Sequence, residues 1–306
     1  MLALCNMDFM DSEISLQQIQ QIDFPLKKLY LSYVTNLFGS DVNITEFLKA
    51  IGNTLKELKV TLRYHQSRAL HESIFKHLHK LQILNIDMES APNKKSNDFY
   101  NSLGINSSIK TLILRTYNTK KDQRVLRGFV TNLPSLETLI IDGGAILNKY
   151  LRLISGNLHQ LKQLNFKAAS GGVFKKVSLP NVTTLHLTVA WPSERPDWTL
   201  ICRAFPNIKN LSLEALHDID FDSISVLTHA WKKSLRFVFM GGKFKADTQK
   251  VKLFFKNCEH IEKLYLSEKA PGIGSKALQA AFPKIIYSDK SFVRGAYDLS
   301  LRMAEK

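Results

Sequence analysis

The residues best suited to carry chemistry in this 306-residue chain are nine histidines and three cysteines. His71, His77 and His79 are close enough in sequence to raise a metal site. A helix with Ile74 and Leu78 on its apolar stripe turns His77 and His79 to different sides, so a surface or corner role is expected and no metal ligation. Cys5, Cys202 and Cys258 lie too far apart to form a CxxC half-site, and their odd number argues against a disulfide framework. Cys258-Glu-His260 has no second pair to complete it. Cys202 and Cys258 fall on apolar helical stripes, where cysteine packs as a small hydrophobe. Gly272-Ile-Gly274 lacks the third glycine of a dinucleotide fingerprint, and neither GxxxxGK[ST] nor GxSxG occurs. Asp218 and Asp220, like Asp8 and Asp11, are expected to be solvated. The expectation is a protein without catalytic residues, cofactor or metal, and not an enzyme.

Composition sets the wider frame. At 44% hydrophobic and 23% charged residues the chain is ordinary for a globular protein. Its net charge of +15 is less ordinary and raises nucleic acid, acidic lipid or an acidic protein surface as partners. The first residues, Met1-Leu-Ala-Leu-Cys-Asn, carry neither the basic nor the long apolar region of a signal peptide. No apolar run approaches the roughly 18 residues that span a bilayer. A cytoplasmic or nuclear location is therefore expected, where the sequons at Asn43, Asn106 and Asn181 carry no meaning.

The elements that would position a site come from one recurring pattern: apolar, two variable, apolar, one variable, apolar. It reads Leu26-Leu29-Leu31, Leu55-Leu58-Val60, Leu81-Leu84-Ile86, Ile109-Leu112-Leu114 and Leu136-Leu139-Ile141. It continues through Leu161-Leu164-Phe166, Val182-Leu185-Leu187, Ile208-Leu211-Leu213, Leu235-Val238-Met240 and Ile261-Leu264-Leu266. The period is about 26 residues, as in a leucine-rich repeat. Each pattern predicts a short strand of a parallel sheet, and parallel strands need crossovers. Helical spacing supplies them at Ile44, Phe47, Leu48 and Ile51, at Leu126, Phe129, Val130 and Leu133, at Trp198, Ile201, Cys202 and Phe205, and at Val251, Phe254, Phe255 and Cys258. The segment with Gly171-Gly172 predicts an extended crossover, and Gly143-Gly144 and Gly241-Gly242 predict tight turns after strands. The expected fold is an α/β leucine-rich repeat solenoid, a horseshoe with a parallel sheet on the concave face and helices on the convex face. It would run as one unit over residues 1–290, with 291–306 a cap or tail.

Leu2 and Leu4 stand 27 residues before Leu29 and Leu31, so Met1 to Cys5 predict a strand of an earlier repeat. A missing upstream segment, a truncated gene model or a short isoform is accordingly expected, with Met1-Leu-Ala-Leu as a makeshift cap the alternative. Corners such as Leu133-Pro134-Ser135-Leu136, Phe205-Pro206-Asn207-Ile208 and Asn257-Cys258-Glu259-His260-Ile261 resemble those of the F-box/leucine-rich-repeat family. That resemblance implies the substrate-recognition part of an SCF ubiquitin ligase, with Skp1-cullin machinery as partner if an F-box lies upstream. The F-box itself is not in this sequence, and the family's Asn or Cys at the ninth repeat position is replaced throughout, as by Val34, Arg63 and Glu89.

The third, fifth and seventh positions of each repeat point to the expected binding face. Basic residues there are Lys28, Lys59, Arg115, Lys167 and Lys263, and acidic ones Glu57, Asp87, Asp142 and Glu214, so the face is nearly neutral. The basic excess is expected on back-side segments and loops such as Lys120-Lys121, Lys175-Lys176 and Lys232-Lys233 with Arg236. Exposed apolar residues are expected at Ile83, Ile113 and Ile140, and at Phe237, Phe239 and Tyr265 beside Lys263, with His186 on the same face. Strand-to-strand packing over the isoleucines is the alternative. A protein partner on this face is the expected function, and a basic nucleic-acid or anionic-surface scaffold the alternative.

Overall fold

The computed structural model describes residues 1–5, 25–32, 41–62, 67–88, 103–116, 122–190, 197–220, 225–245 and 260–266, with Gln249, Lys252, Lys256, Cys258 and Ala280 as single positions. The chain divides into two compact units, residues 1–144 with 156–160, and residues 145–155 with 161–306.

In the first unit the strands are β1 (Leu2–Cys5), β2 (Lys28–Ser32), β3 (Glu57–Leu62), β4 (Ile83–Met88), β5 (Thr111–Thr116) and β6 (Thr138–Gly143). Each pairs in parallel with the next in sequence order. Leu2 stands opposite Leu29 and Leu4 opposite Leu31, the register their 27-residue spacing predicts. The crossovers include helices α1 (Asp41–Ile51), α2 (Ser67–His77) and α3 (Asp122–Asn132). Period-two alternation sends Leu58, Leu84, Leu112 and Leu139 to the helix side, where all four are fully buried. Phe47, Leu48, Ile74, Phe129 and Val130 cover them from the helices. Burial of such a side chain contributes about 2 kcal/mol, so the apolar stripe rather than helix propensity holds these short helices in place.

The second unit holds most of α4 (Asn148–Asn157), then β7 (Gln163–Ala168), β8 (Thr184–Val189), α5 (Trp198–Ala204), β9 (Asn210–Asp220), α6 (Ser225–Trp231), β10 (Phe237–Lys245) and β11 (Lys263–Leu266). These strands again pair in parallel and in order. The crossover after β7 departs from the extended path expected: Gly171–Phe174 forms one 3-10 turn. It buries Val173 and Phe174, and Asn148 ties it down by donating from Nδ2 to the carbonyls of Val173 and Lys175. Gly241 and Gly242 also depart from expectation, since they lie inside β10 rather than in a turn. Gly242 has φ +89°, and a Cβ there would stand 2.0 Å from the Ala215 carbonyl oxygen, so only glycine permits the bulge that lets β9 and β10 stay paired beyond the repeat.

One backbone device sets the register in both units. Second-position carbonyls accept two amides of the next repeat: Lys27 from Lys56 and Glu57, Lys56 from Gln82 and Ile83, Thr183 from Lys209 and Asn210, Lys209 from Arg236 and Phe237. Every strand from β2 to β11 consequently begins at the third position of its repeat. The expected helix over Val251–Cys258 is described only in part, with Gln249, Lys252 and Lys256 helical. The expected continuation through Leu278, Phe282 and Ile285, and the tail 291–306, lie outside the described residues.

Candidate functional site

Each unit presents a strand face built from third, fifth and seventh positions, and the two differ in chemistry. In the first unit Lys28 Nζ lies 2.8 Å from Glu57 Oε2, while the Tyr30 hydroxyl donates to Glu57 Oε1 at 2.7 Å. Three strands on, Arg115 bridges two carboxylates: its Nη1 is 3.3 Å from Asp87 Oδ2 and its Nε 3.1 Å from Asp142 Oδ2. Register explains the bridge, because Asp87, Arg115 and Asp142 are direct neighbours on β4, β5 and β6. The alternation Asp-Arg-Asp along the seventh row was readable in sequence once the rows were aligned, but residue type alone did not reveal that it closes on itself.

Ile113 and Ile140 pair across β5 and β6 and are buried, Ile140 at 0% exposure, while Ile83 is half-buried. The expectation of an exposed isoleucine patch is therefore corrected for Ile113 and Ile140. Each lies beside the other at the strand spacing of about 4.8 Å, flanked along its own strand by the third and seventh rows, which leaves little room for solvent.

On the second unit the fifth row runs Asn165, His186, Ser212, Phe239 and Tyr265. Phe237 and Tyr265 contact each other with ring centroids 5.1 Å apart. Phe237 is half-buried and Lys263, opposite it in register, is exposed. Phe239 and Tyr265 are 6% and 8% exposed, so the aromatic group offers mainly Phe237 as surface. Gly241 makes this arrangement possible: a Cβ there would meet the Phe239 ring at 2.8 Å, so the ring lies over the glycine. His186 is half-buried, and the Ser212 hydroxyl beside it is buried without a hydrogen-bond partner among the described residues. A polar row ending in an aromatic group suits recognition of a polypeptide surface, with the aromatics as anchors and the hydroxyl, amides and imidazole as hydrogen-bonding groups. Ser212 carried no signal in sequence, because an unsatisfied hydroxyl shows only when its surroundings are known.

The residues first singled out for chemistry fall elsewhere. His71 is fully buried against Phe129, edge to face with centroids 5.4 Å apart, and burial pushes its pKa down to about 4. It is a core residue of α2, while His77 is half-buried and His79 exposed. Burial pushes the Cys202 thiol up to about 12 and Cys258 up to about 11, so both stay protonated at neutral pH. Asn106 is buried, its Nδ2 donating to the carbonyls of Ile74 and Leu78 at the end of α2, which removes that sequon from the surface. Among the described residues no group of His, Cys, Asp and Glu could hold a metal ion, and no helix is long and apolar enough to cross a membrane.

In-register parallel strands one repeat apart, with helices and short turns as crossovers, define a leucine-rich repeat solenoid of the α/β class. Neither a protein-family model nor a curated protein matches the sequence. Among solved structures, a chain in the crystal structure of the Rad7 and Elc1 complex in yeast is similar, with a TM-score of 0.59 at 12% identity, covering 90% of this chain and 71% of that one. At that identity the likeness is one of fold.

Proposed function

We propose that the chain is a non-catalytic recognition module that binds a protein partner on the strand face of its second unit. The Phe237–Tyr265 pair beside exposed Lys263 carries this reading, because it places an aromatic anchor, a cation and a row of hydrogen-bonding groups on one rigid sheet. The similar fold found in a two-protein complex supports it. Together with the resemblance of its corners to the F-box/leucine-rich-repeat family, that fold supports the finer reading of a substrate receptor for a ubiquitin ligase acting in the cytoplasm or nucleus. Docking to Skp1-cullin machinery would then fall to an F-box upstream of these repeats.

Affinity capture from the native cells, repeated with a Phe237→Ala/Tyr265→Ala variant, tests both levels. The expected result is a protein partner whose recovery falls at least about tenfold with the variant, as for loss of a central aromatic anchor. Unchanged recovery would remove the strand-face assignment. Recovery of a partner without Skp1 or cullin from the full-length product would remove the ligase reading and leave the recognition module.

A further inference from the structure

The net charge of +15 is not accounted for by the strand faces, and the structure shows where part of it collects. The second positions of the repeats form a row along the leading edge of each sheet, held by the double amide-to-carbonyl ladder. In the second unit this row reads Lys162, Thr183, Lys209, Arg236 and Glu262. The turn after α6 adds Lys232 and Lys233 to the same corner. It is pinned there by the Ser234 hydroxyl, which donates to the Ile208 carbonyl at 2.8 Å, and by the Arg236 amide, which donates to the Lys209 carbonyl at 2.8 Å. Lys209, Lys232 and Lys233 are exposed and Arg236 half-buried. Sequence alone had placed Lys232, Lys233 and Arg236 among back-side segments and loops; the bonds of Ser234 and Arg236 fix their loop beside the leading edge.

Some cations of the first unit are paired, although Lys27 and Lys56 on its own second-position row are exposed and show no ion pair among the described residues. There, Lys28 is neutralised by Glu57, Lys110 by Glu137 at 3.6 Å, and Arg115 by two aspartates. Lys209, Lys232, Lys233 and Arg236 have no carboxylate within ion-pairing distance among the described residues, although Glu262 ends the row. Arg236 instead donates to the His260 carbonyl at 3.5 Å.

We propose that this corner binds the phosphodiester backbone of a nucleic acid. No exposed large apolar residue lies there; the exposed ones among the described residues are Met1, Ile105, Leu147 and Leu216. Binding must then be electrostatic. Scattered carboxylates on a folded protein supply at most about 1 kcal/mol per exposed pair, whereas a polyphosphate chain releases condensed counterions at every phosphate neutralised. Three lysines to one arginine also suit phosphate as point charges better than they suit bidentate pairing with carboxylates. Contacts to phosphate position a protein without reading sequence, so the recognition expected here is independent of sequence.

The test is fluorescence anisotropy of the full chain with a labelled DNA duplex and with a single-stranded RNA of the same sequence. Four phosphate contacts predict a slope of log affinity against log salt of about −3.6 for the duplex and about −2.8 for the single strand, so duplex binding weakens roughly 100-fold between about 50 and 200 mM salt. The tighter of the two identifies which nucleic acid is the source. Lys209→Glu/Lys232→Glu/Lys233→Glu/Arg236→Glu should abolish binding, and the corresponding glutamine variant, milder for folding, should lower it at least about tenfold and flatten the slope. Phe237→Ala/Tyr265→Ala should bind as the parent does, which separates this surface from the strand face. Undetectable binding at the lowest salt, binding indifferent to the glutamine variant, or equal affinity for polyglutamate would each overturn the proposal.

Discussion

The strand faces of the two units share a register and almost nothing else. The first meets most of its own needs, with lysine on glutamate, tyrosine on the same glutamate and arginine between two aspartates. The second leaves a buried serine hydroxyl without a partner and exposes part of an aromatic pair beside a lysine. In a repeat fold the backbone is satisfied by the neighbouring repeats wherever it lies, so differences in side-chain satisfaction mark where a partner is needed. The first face also keeps one buried acceptor, Asp87 Oδ1, unpaired among the described residues, so what sets the second apart is its partly exposed aromatic pair, and that is why we take it as the candidate site.

The largest expected effect lies behind the second face. Trp231 is buried, and its indole Nε1 donates to the Phe205 carbonyl at 2.7 Å. Trp231→Ala should cost about 3–5 kcal/mol of stability, through the cavity and the carbonyl left unpaired. A urea titration showing less than about 1 kcal/mol would mean that the second unit does not rest on this turn.

Next comes a pH dependence rooted in the first unit. Because the folded protein holds His71 neutral down to about 4 against an ordinary 6.5, the unfolded chain takes up the proton first. Its contribution is complete above about pH 6.5, is lost as pH falls toward 4, and amounts to about 3 kcal/mol in all. His71→Leu should remove this component, so the difference between parent and variant, followed by denaturation at several pH values, should itself vary with pH. A constant difference would contradict the buried, neutral imidazole.

A smaller effect tests the first face. Arg115→Ala leaves Asp87 and Asp142, one on each side of it, without their shared cation, at a cost of about 1–2 kcal/mol given the partial exposure of the arginine. Thermal unfolding should register it while capture of the partner is unchanged; loss of capture would move the binding face to the first unit. The smallest effect is of opposite sign. Ser212→Ala removes an unsatisfied buried hydroxyl and should stabilise the free protein by up to about 1 kcal/mol while weakening the partner complex. If it stabilises both equally, the hydroxyl is not held for recognition.

The repeat pattern predicted a strand in each of ten repeats, and all ten are present in the same phase, because a face buried behind a parallel sheet leaves no freedom to slip by one position. Leu2 and Leu4 extended that to β1, from spacing alone. The failures have a common physical origin. Gly241-Gly242 looked like a turn because glycine pairs usually punctuate, whereas here one glycine underlies the Phe239 ring and the other forms a bulge, contacts made by side chain and backbone far along the chain. Ile113 and Ile140 were placed on the correct face, but their exposure depends on packing from neighbouring rows, which a one-dimensional pattern does not contain. The histidine group was expected in a surface or corner role, whereas His71 is fully buried with Phe129 as its neighbour in space. Likewise, Lys232 and Lys233 could be recognised as a basic run, but their place at the leading edge depends on the bond from Ser234 to Ile208.

The doubled carbonyl at the second repeat position has a consequence for how such a chain can change over time. Because that acceptor sets where the next strand starts, the length of chain between two acceptors is released from any duty of alignment. A helix, as in α1, and a single 3-10 turn, as at Gly171–Phe174, deliver the following strand in the same phase. Insertions and deletions on the back of the sheet can therefore accumulate without shifting the side chains on its front, much as pages of unequal width stay aligned when they share a spine.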